Sequence, residues 1–294
     1  MEFQNVFVAG GTSDVGERVV RGLVADFAPQ NITCLVRKTS DTGRLAQLGI
    51  NLRLGDITDP QSYPGLLGPD VLYLDMTHPK YYYKSIDVVK AQGVKRAFFI
   101  TTTGLFSQYR SASEIYKIGE ARIKDSGCKW TILRPSMIYG TERDRNMTKL
   151  LKFINRYPIF PVFGDGKCLM QPVYVEDLAA GILSALRNVN LTENKAYNLC
   201  GPQPISYIEL LQKCRSALQS TIKFVHIPHT LAVFAAKVGE KIPGFPLTCE
   251  QVQRLLEDKA FDISLAEKEL NYRPRTFDEG IRAEVERLRA IGVV

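Results

Sequence analysis

The chain has 294 residues, 45% hydrophobic and 23% charged, enough for one large α/β domain or a domain with a smaller lobe. No apolar run approaches the roughly 20 residues of a membrane span, Leu231 to Ala236 being far too short, and the N-terminus shows no basic-then-apolar leader. A cytoplasmic location is therefore expected. The formal charge of +7 comes from dispersed Lys and Arg with no basic tract, which argues against nucleic acid and for phosphate-bearing ligands or solubility. The six cysteines have no paired spacing and no neighbouring histidines, so they read as free, buried thiols rather than a metal site or disulfide framework.

Val6 to Ala9 is a short apolar run, as in a buried parallel strand. Gly10 and Gly11 permit a tight turn, and Thr12, Ser13 and Asp14 supply helix-capping oxygens. Val15, Val19, Val20 and Leu23 then recur at helical spacing. With Gly16, this is the strand–turn–helix unit that presents helix N–H groups to a dinucleotide pyrophosphate. Ser13 stands where the middle glycine of the usual turn would be.

Asn31 to Val36 is a second strand, ending in Arg37 and Lys38. A carboxylate at that point binds the ribose hydroxyls of NAD, whereas a cation accepts the 2′-phosphate of NADP. NADP(H) is therefore favoured over NAD(H). A solvated pair of cations at a loop start is the plainer alternative. Leu45 and Leu48 suggest a short helix stopped by Gly49. Asn51 to Leu54 is a third strand, followed by Gly55, Asp56, Ile57 and Thr58; Asp56 is placed to meet the adenine amino group, with Ile57 closing over the ring. Asp59 caps a turn opened by Pro60.

Val71 to Leu74 is a fourth strand. It leads into Asp75, Met76, Thr77, His78 and Pro79, expected near the cofactor ribose and nicotinamide. Tyr81, Tyr82 and Tyr83 open the next helix, either lining a pocket or anchoring the helix to the sheet. Arg96 to Ile100 is a fifth strand, ending in the hydroxyl cluster Thr101, Thr102 and Thr103. A helix over Ser111 to Lys124 and a sixth strand, Trp130 to Leu133, follow, then Arg134 to Gly140, including Pro135 and Ile138. Strands alternating with helices predict an α/β fold: a Rossmann-type, doubly wound parallel sheet.

The remainder changes texture. Thr148 to Tyr157 is an amphipathic helix. Pro158, Pro161, Gly164 and Gly166 break the chain around short strands. Another helix follows Gln171 to Asp177, and Tyr197 to Leu199 is a late strand. Short helices then run to the end, punctuated by Pro228, Pro243, Pro246 and Pro274. The expected organisation is a dinucleotide-binding core over 1–140 and a smaller C-terminal α+β substrate lobe over 141–294, some of whose late elements return to the sheet.

Taken together, the glycine turn, Gly55-Asp56, Thr131 to Gly140, Gln171 to Ala179 and Tyr197 to Pro202 occur in an order that resembles the extended and atypical short-chain dehydrogenase/reductase superfamily, including its NmrA-like branch. The resemblance implies a Rossmann fold, a nicotinamide cofactor, and nucleotide-sugar epimerases and dehydratases as distant relatives. It also implies Tyr-x-x-x-Lys on the helix before the sixth strand, where the lysine lowers the tyrosine pKa for general-base work. Here Glu120, not lysine, stands four residues after Tyr116. In related atypical proteins a glutamate lies four residues after the motif lysine, which would put Tyr116 at the lysine position and Ala112 at the tyrosine position. Lys117 lies about 100° around the helix from Tyr116.

Tyr116 is thus a candidate for touching the nicotinamide ribose, or an aromatic packing its helix. Thr103 is a candidate for the catalytic hydroxyl. Three readings compete: an NADP(H)-dependent oxidoreductase or epimerase-like enzyme acting on a small molecule, a redox sensor or assembly protein that binds NADP(H) without turnover, and a nucleotide-sugar binder. A homodimer is a further expectation, since relatives often pair through the helices flanking the fifth strand.

Overall fold

A computed structural model describes residues 3–228 except 64, 110 and 145, residues 257–294, and positions 230, 231, 233, 250, 253 and 254 between them. Pro243, Pro246, Cys249, most of the stretch from Leu231 to Ala236 and the Tyr83 side chain fall outside the described residues.

The sheet strands are β1 (Asn5–Ala9), β2 (Ile32–Val36), β3 (Asn51–Leu54), β4 (Val71–Asp75), β5 (Arg96–Ile100), β6 (Lys129–Pro135) and, after three short strands and a longer one, β11 (Lys195–Leu199). They run parallel in the order β11-β6-β5-β4-β1-β2-β3. This is the doubly wound sheet expected from the alternating pattern. The intervening strands are β7 (Ile138–Tyr139), β8 (Ile159–Phe163), β9 (Leu169–Met170) and β10 (Val173–Tyr174).

Each face of β1 feeds a different core, as alternation along a strand requires. Val6 and Val8 pack with Val19, Val20 and Leu23 of helix α1 (Asp14–Leu23), and with Leu178 and Ile182 of a later helix (Val175–Arg187). Phe7 and Ala9 point the other way, toward Ile86 and Val89 of a helix over Tyr82–Ala91 and Ile123 of one over Ser113–Lys124. On that face Phe7 stacks on Tyr73 at 5.9 Å, and Tyr73 meets Phe99 at 5.9 Å, so one aromatic row staples three adjacent strands.

The helices whose two ends are both among the described residues are α1, α2 (Gly43–Ala46), α3 (Tyr82–Ala91), α4 (Ser113–Lys124), α5 (Met147–Arg156), α6 (Val175–Arg187), α7 (Tyr207–Leu218), α8 (Ser264–Leu270) and α9 (Phe277–Ala290). A third core joins Leu151 and Ile154 of α5, Leu211 and Cys214 of α7, and Ile281, Val285 and Leu288 of α9. Strand β8 pairs in parallel with β13 (Lys223–Ile227), and β9 pairs antiparallel with β12 (Ile205–Ser206). The short helix expected through Leu48 stops at Ala46. Cys34, Cys128, Cys200 and Cys214 are buried free thiols, and Cys168 is half-buried. Among the described residues no group of His, Cys, Asp or Glu forms a metal cluster, and no helix is long and apolar enough to cross a membrane.

Candidate functional site

The order of the sheet reverses between β1 and β4, and a cleft of about 530 Å³ opens at their carboxyl ends. Its floor is the glycine turn. Gly10 has φ +83°, and a Cβ there would lie 2.6 Å from the Met76 carbonyl group. A Cβ on Gly16 would lie 2.2 Å from the Gly10 oxygen and 2.8 Å from Ser13 Oγ. Only glycine fits either position.

Ser13 caps α1: its Oγ accepts from Gly16 N at 3.0 Å and donates to the Gly10 carbonyl at 2.9 Å. The serine in the middle-glycine position thus folds back onto the turn and leaves the mouth open. The free N–H groups and positive dipole end of α1 face that mouth, the arrangement that accepts a phosphate. The cradle fits a dinucleotide pyrophosphate because Gly10 and Gly16 carry no side chain there and have room for none.

Gly10, Thr12, Ser13, Arg37, Asp56, Ile57, Met76 and Thr77, all singled out in the sequence, meet around this cleft. Asp56 receives the Thr58 N–H and hydroxyl on one oxygen, each at 2.8 Å. These bonds, with Arg37 nearby, hold its carboxyl below the usual range despite partial burial. Arg37 follows β2 at the rim, where its backbone N–H donates to Ser40 Oγ at 3.3 Å. Lys38 is exposed beside it and does not line the cleft.

Other expected residues stand behind the lining. Asp75 is fully buried under the floor, where its carboxylate accepts from Thr77 N–H at 2.9 Å, Thr77 Oγ1 at 2.6 Å and Tyr73 OH at 3.0 Å. Burial raises its pKa above the usual carboxylate value. Asp14 turns toward the chain after β7, accepting from Thr141 Oγ1 at 2.8 Å and pairing with Arg143 at 2.9 Å. The arginine neutralises a carboxylate that would otherwise repel an anion at the start of α1. Val15 packs against the core beneath.

Helix α4 turns Ser113, Tyr116, Gly119, Glu120 and Ile123 inward. Tyr116 is 3% exposed, and its ring lies 6.1 Å from that of His78. Lys117 is on the outer face, 3.7 Å from Glu114. Glu120 is locked: Arg134 donates to both its oxygens at 2.8 and 2.6 Å, and Thr101 Oγ1 donates at 2.8 Å. Thr103 is buried, its hydroxyl donating to the Pro135 carbonyl at 3.2 Å. Ile138 lies in β7, paired with Val173 of β10. No tyrosine–lysine pair forms on this helix.

Sequence reasoning passed over Ser40, Thr58 and Lys80 as cleft residues. Lys80 had one signal, a cation directly after the Thr77-His78-Pro79 turn; the two hydroxyls had none. His78, expected near the cofactor, and Tyr81, expected either to line a pocket or to anchor its helix, both line the cleft, with rings 6.3 Å apart. A second cavity of about 520 Å³ lies at the opposite, amino-terminal end of the strands, near Lys95, Lys129 and Asp70. Its buried cation, Arg96, is saturated by the Val189 and Lys129 carbonyls, Thr131 and Thr192, so no buried charge is left for a ligand.

A family model described as NAD(P)H-binding matches residues 10–156, about half of the chain. The chain is 33% identical over 129 residues to an alpha-subcomplex subunit 9 of mitochondrial NADH dehydrogenase from Arabidopsis thaliana, a match covering 42% of this chain and 32% of that protein. It is 27% identical over 238 residues to an NAD(P)H azoreductase from Xenophilus azovorans, covering 76% and 77% of the two chains. Among solved structures, an NADPH-dependent quinone oxidoreductase from Escherichia coli superposes with a TM-score of 0.72 at 18% identity, covering 94% of this chain and 98% of that one.

Proposed function

The chain belongs to the NAD(P)H-binding family, on the extended and atypical short-chain dehydrogenase/reductase fold, and from that premise we propose that it is an NADPH-dependent reductase of small, conjugated aromatic acceptors of the quinone or azo class. The observation that carries this reading is the continuation of the nucleotide cleft, past Thr77, to the rings of His78 and Tyr81, with Tyr116 buried behind His78. Rings of this kind bind a planar acceptor by stacking. The relatives named for azo and quinone reduction support the same class.

The cofactor supplies a hydride from the nicotinamide when bound. Gly10, Ser13 and the first turn of α1 hold its pyrophosphate. Asp56 and Ile57 meet the adenine. Arg37, at the rim with Ser40, receives a 2′-phosphate and so selects NADPH. Tyr116 and Thr103 shape the nicotinamide end, Thr103 by tying its loop to Pro135. A conjugated acceptor delocalises the charge it gains, so it does not need the strong acid–base pair that a sugar or simple alcohol requires. That matches a helix carrying Glu120, already neutralised by Arg134, where the motif would place a lysine.

Calorimetric titration with NADPH and NADH, followed by absorbance at the reduced-nicotinamide band with a panel of quinones and azo dyes, tests the proposal. NADPH binding with acceptor-dependent oxidation supports it. Tight binding without turnover on any acceptor gives the result to the sensor or assembly reading, and no binding of either nucleotide overturns the site itself.

A further inference from the structure

The 3₁₀ turns Pro79–Tyr81 and Thr103–Phe106 follow β4 and β5, neighbouring strands of the sheet, and both pack on α4. They therefore stand side by side at the carboxyl end of the sheet. The first turn carries the Tyr81 ring, with His78 capping it. The second ends in Phe106, whose ring is 48% exposed. A single exposed phenylalanine is ordinary. Phe106 differs because its surroundings hold it in place. The Arg134 guanidinium lies 5.5 Å from its ring centre, and the Phe261 ring lies 5.8 Å away, tilted by 33°. Arg134 is itself fixed by its two bonds to Glu120.

The rest of the frame around Phe106 comes from late in the chain. Glu257 accepts from two consecutive residues after the turn: Ser107 Oγ donates to Oε2 and Gln108 N–H to Oε1, each at 2.6 Å. Bonds of this length to a carboxylate are of the strong, charge-assisted kind. The residues after Glu257 are anchored in turn. Asp258 Oδ1 accepts the Leu169 N–H at 2.8 Å, and the Lys259 N–H donates to the Leu169 carbonyl at 2.8 Å. The Phe261 N–H donates to Oε1 of the buried Gln171 at 2.7 Å, and its ring packs on the core that holds Val6 and Val8. Residues 257–261 thus form a strap that latches the loop after β5 to β9 and presents Phe106 on a fixed support. A face ordered before binding costs a ligand little entropy.

We infer that Phe106 is a specificity-determining residue of the acceptor site, stacking on the second ring of a two-ring acceptor (an aryl quinone or a diaryl azo compound) whose first ring lies against His78 and Tyr81, and that Glu257 is the positioning residue that holds Phe106 there. The inference rests on the reductase reading above and narrows its acceptor class. Aromatic groups on two neighbouring turns suit two joined rings, whereas a one-ring quinone engages the first turn alone. Glu257 touches no acceptor in this arrangement and acts through Ser107 and Gln108 on the ring that precedes them.

The test compares 2-phenyl-1,4-benzoquinone with 1,4-benzoquinone. Phe106→Ala should lose about tenfold in kcat/KM on the phenyl compound, chiefly through KM, while 1,4-benzoquinone and the NADPH Kd change by less than about twofold. Glu257→Ala should show the same selective loss. Glu257→Gln, which keeps an acceptor for the Gln108 N–H, should recover most of it. Because Glu257 acts through Phe106, adding Glu257→Ala to Phe106→Ala should cost nothing more on the phenyl compound. Two readouts are independent of turnover. Hydrogen exchange at the Gln108 amide should accelerate in Glu257→Ala and stay slow in Glu257→Gln. In the presence of NADP+, which delivers no hydride, 4-phenylazophenol should bind about tenfold more weakly to Phe106→Ala than to wild type by calorimetry. Equal losses on the two quinones, or no loss on either, overturn the assignment of Phe106. Additive losses in the double variant, or unchanged exchange at Gln108, overturn the role of Glu257. A wild-type protein that binds NADPH but reduces neither quinone overturns the reductase reading and this inference with it.

Discussion

Replacing Glu284 with Gln should flatten the pH dependence of stability. Glu284 projects from α9 into the third core, with no exposed surface. Thr148 Oγ1 donates to its Oε1 at 3.2 Å, while no hydrogen bond of normal geometry reaches Oε2. Burial, with the Asp144 carboxyl nearby, pushes its pKa up to about 8; the Thr148 hydroxyl and the neighbouring Gly140 N–H offset only part of this. Below the ordinary value of 4.5 the group is protonated in both folded and unfolded chains, and its contribution is neutral. Between that value and about 8 the unfolded chain ionises while the folded chain keeps its proton. Stability therefore falls as pH rises, by about 1.4 kcal/mol per pH unit and roughly 5 kcal/mol over the whole interval. The amide cannot ionise, so Glu284→Gln removes this slope. Its extra N–H costs a constant amount, which shifts the curve without tilting it. Asp144, whose pKa is also raised by burial, stays in both proteins, so the difference between them reports Glu284. Urea unfolding at intervals from pH 5 to 8 measures both slopes. Parallel curves for the two proteins across that range would refute the reasoning.

Four further outcomes follow from the geometry. Gly10→Ala should abolish nucleotide binding by calorimetry and lower the melting temperature, because its Cβ would press on the Met76 carbonyl group from a backbone of φ +83°; unchanged binding would mean the turn is not the cradle. Arg37→Asp should weaken NADPH far more than NADH, and equal losses would remove the 2′-phosphate assignment. Arg134→Met should destabilise the fold by about 3–5 kcal/mol in denaturant titration, since it strands the buried Glu120 carboxylate; Lys117→Ala, at an exposed pair, should change stability by less than about 1 kcal/mol. Lys117→Ala should also leave acceptor reduction unchanged, and a large loss of kcat would return that lysine to the site.

The parts of the fold legible in the sequence are those set by local pattern. Val6 to Ala9, the glycines behind it and the short apolar or alternating runs of the next five strands each declare their element without knowledge of a partner. Ser13 is read as a cap because a cap needs only the residue and the helix after it. Asp14 shows where that logic stops. Its carboxylate answers to Thr141 and Arg143, more than 120 residues later, and no spacing announces such a pair. Asp75 is expected near the ribose from its position at the carboxyl end of β4, yet its carboxylate turns down to hold Thr77, because the polar residue that ends a buried strand is also the one best placed to cap the loop. The absence of a lysine four residues after Tyr116 was visible in sequence. That Arg134 would neutralise the Glu120 found there was not, since helix and strand meet only in three dimensions.

The seventh strand carries a consequence for how this protein can be rearranged. Residues 195–199 close the edge beside β6, and α6 packs its apolar side against α1, so the sheet is finished by chain that comes after the nucleotide-binding half. A chimera that swapped everything beyond residue 140 for a relative's segment would inherit a foreign edge strand and a foreign partner for α1. The segment beyond residue 140 is therefore not a cassette in this architecture. A successful graft would keep α6 and β11 with the recipient and exchange only the elements of the third core.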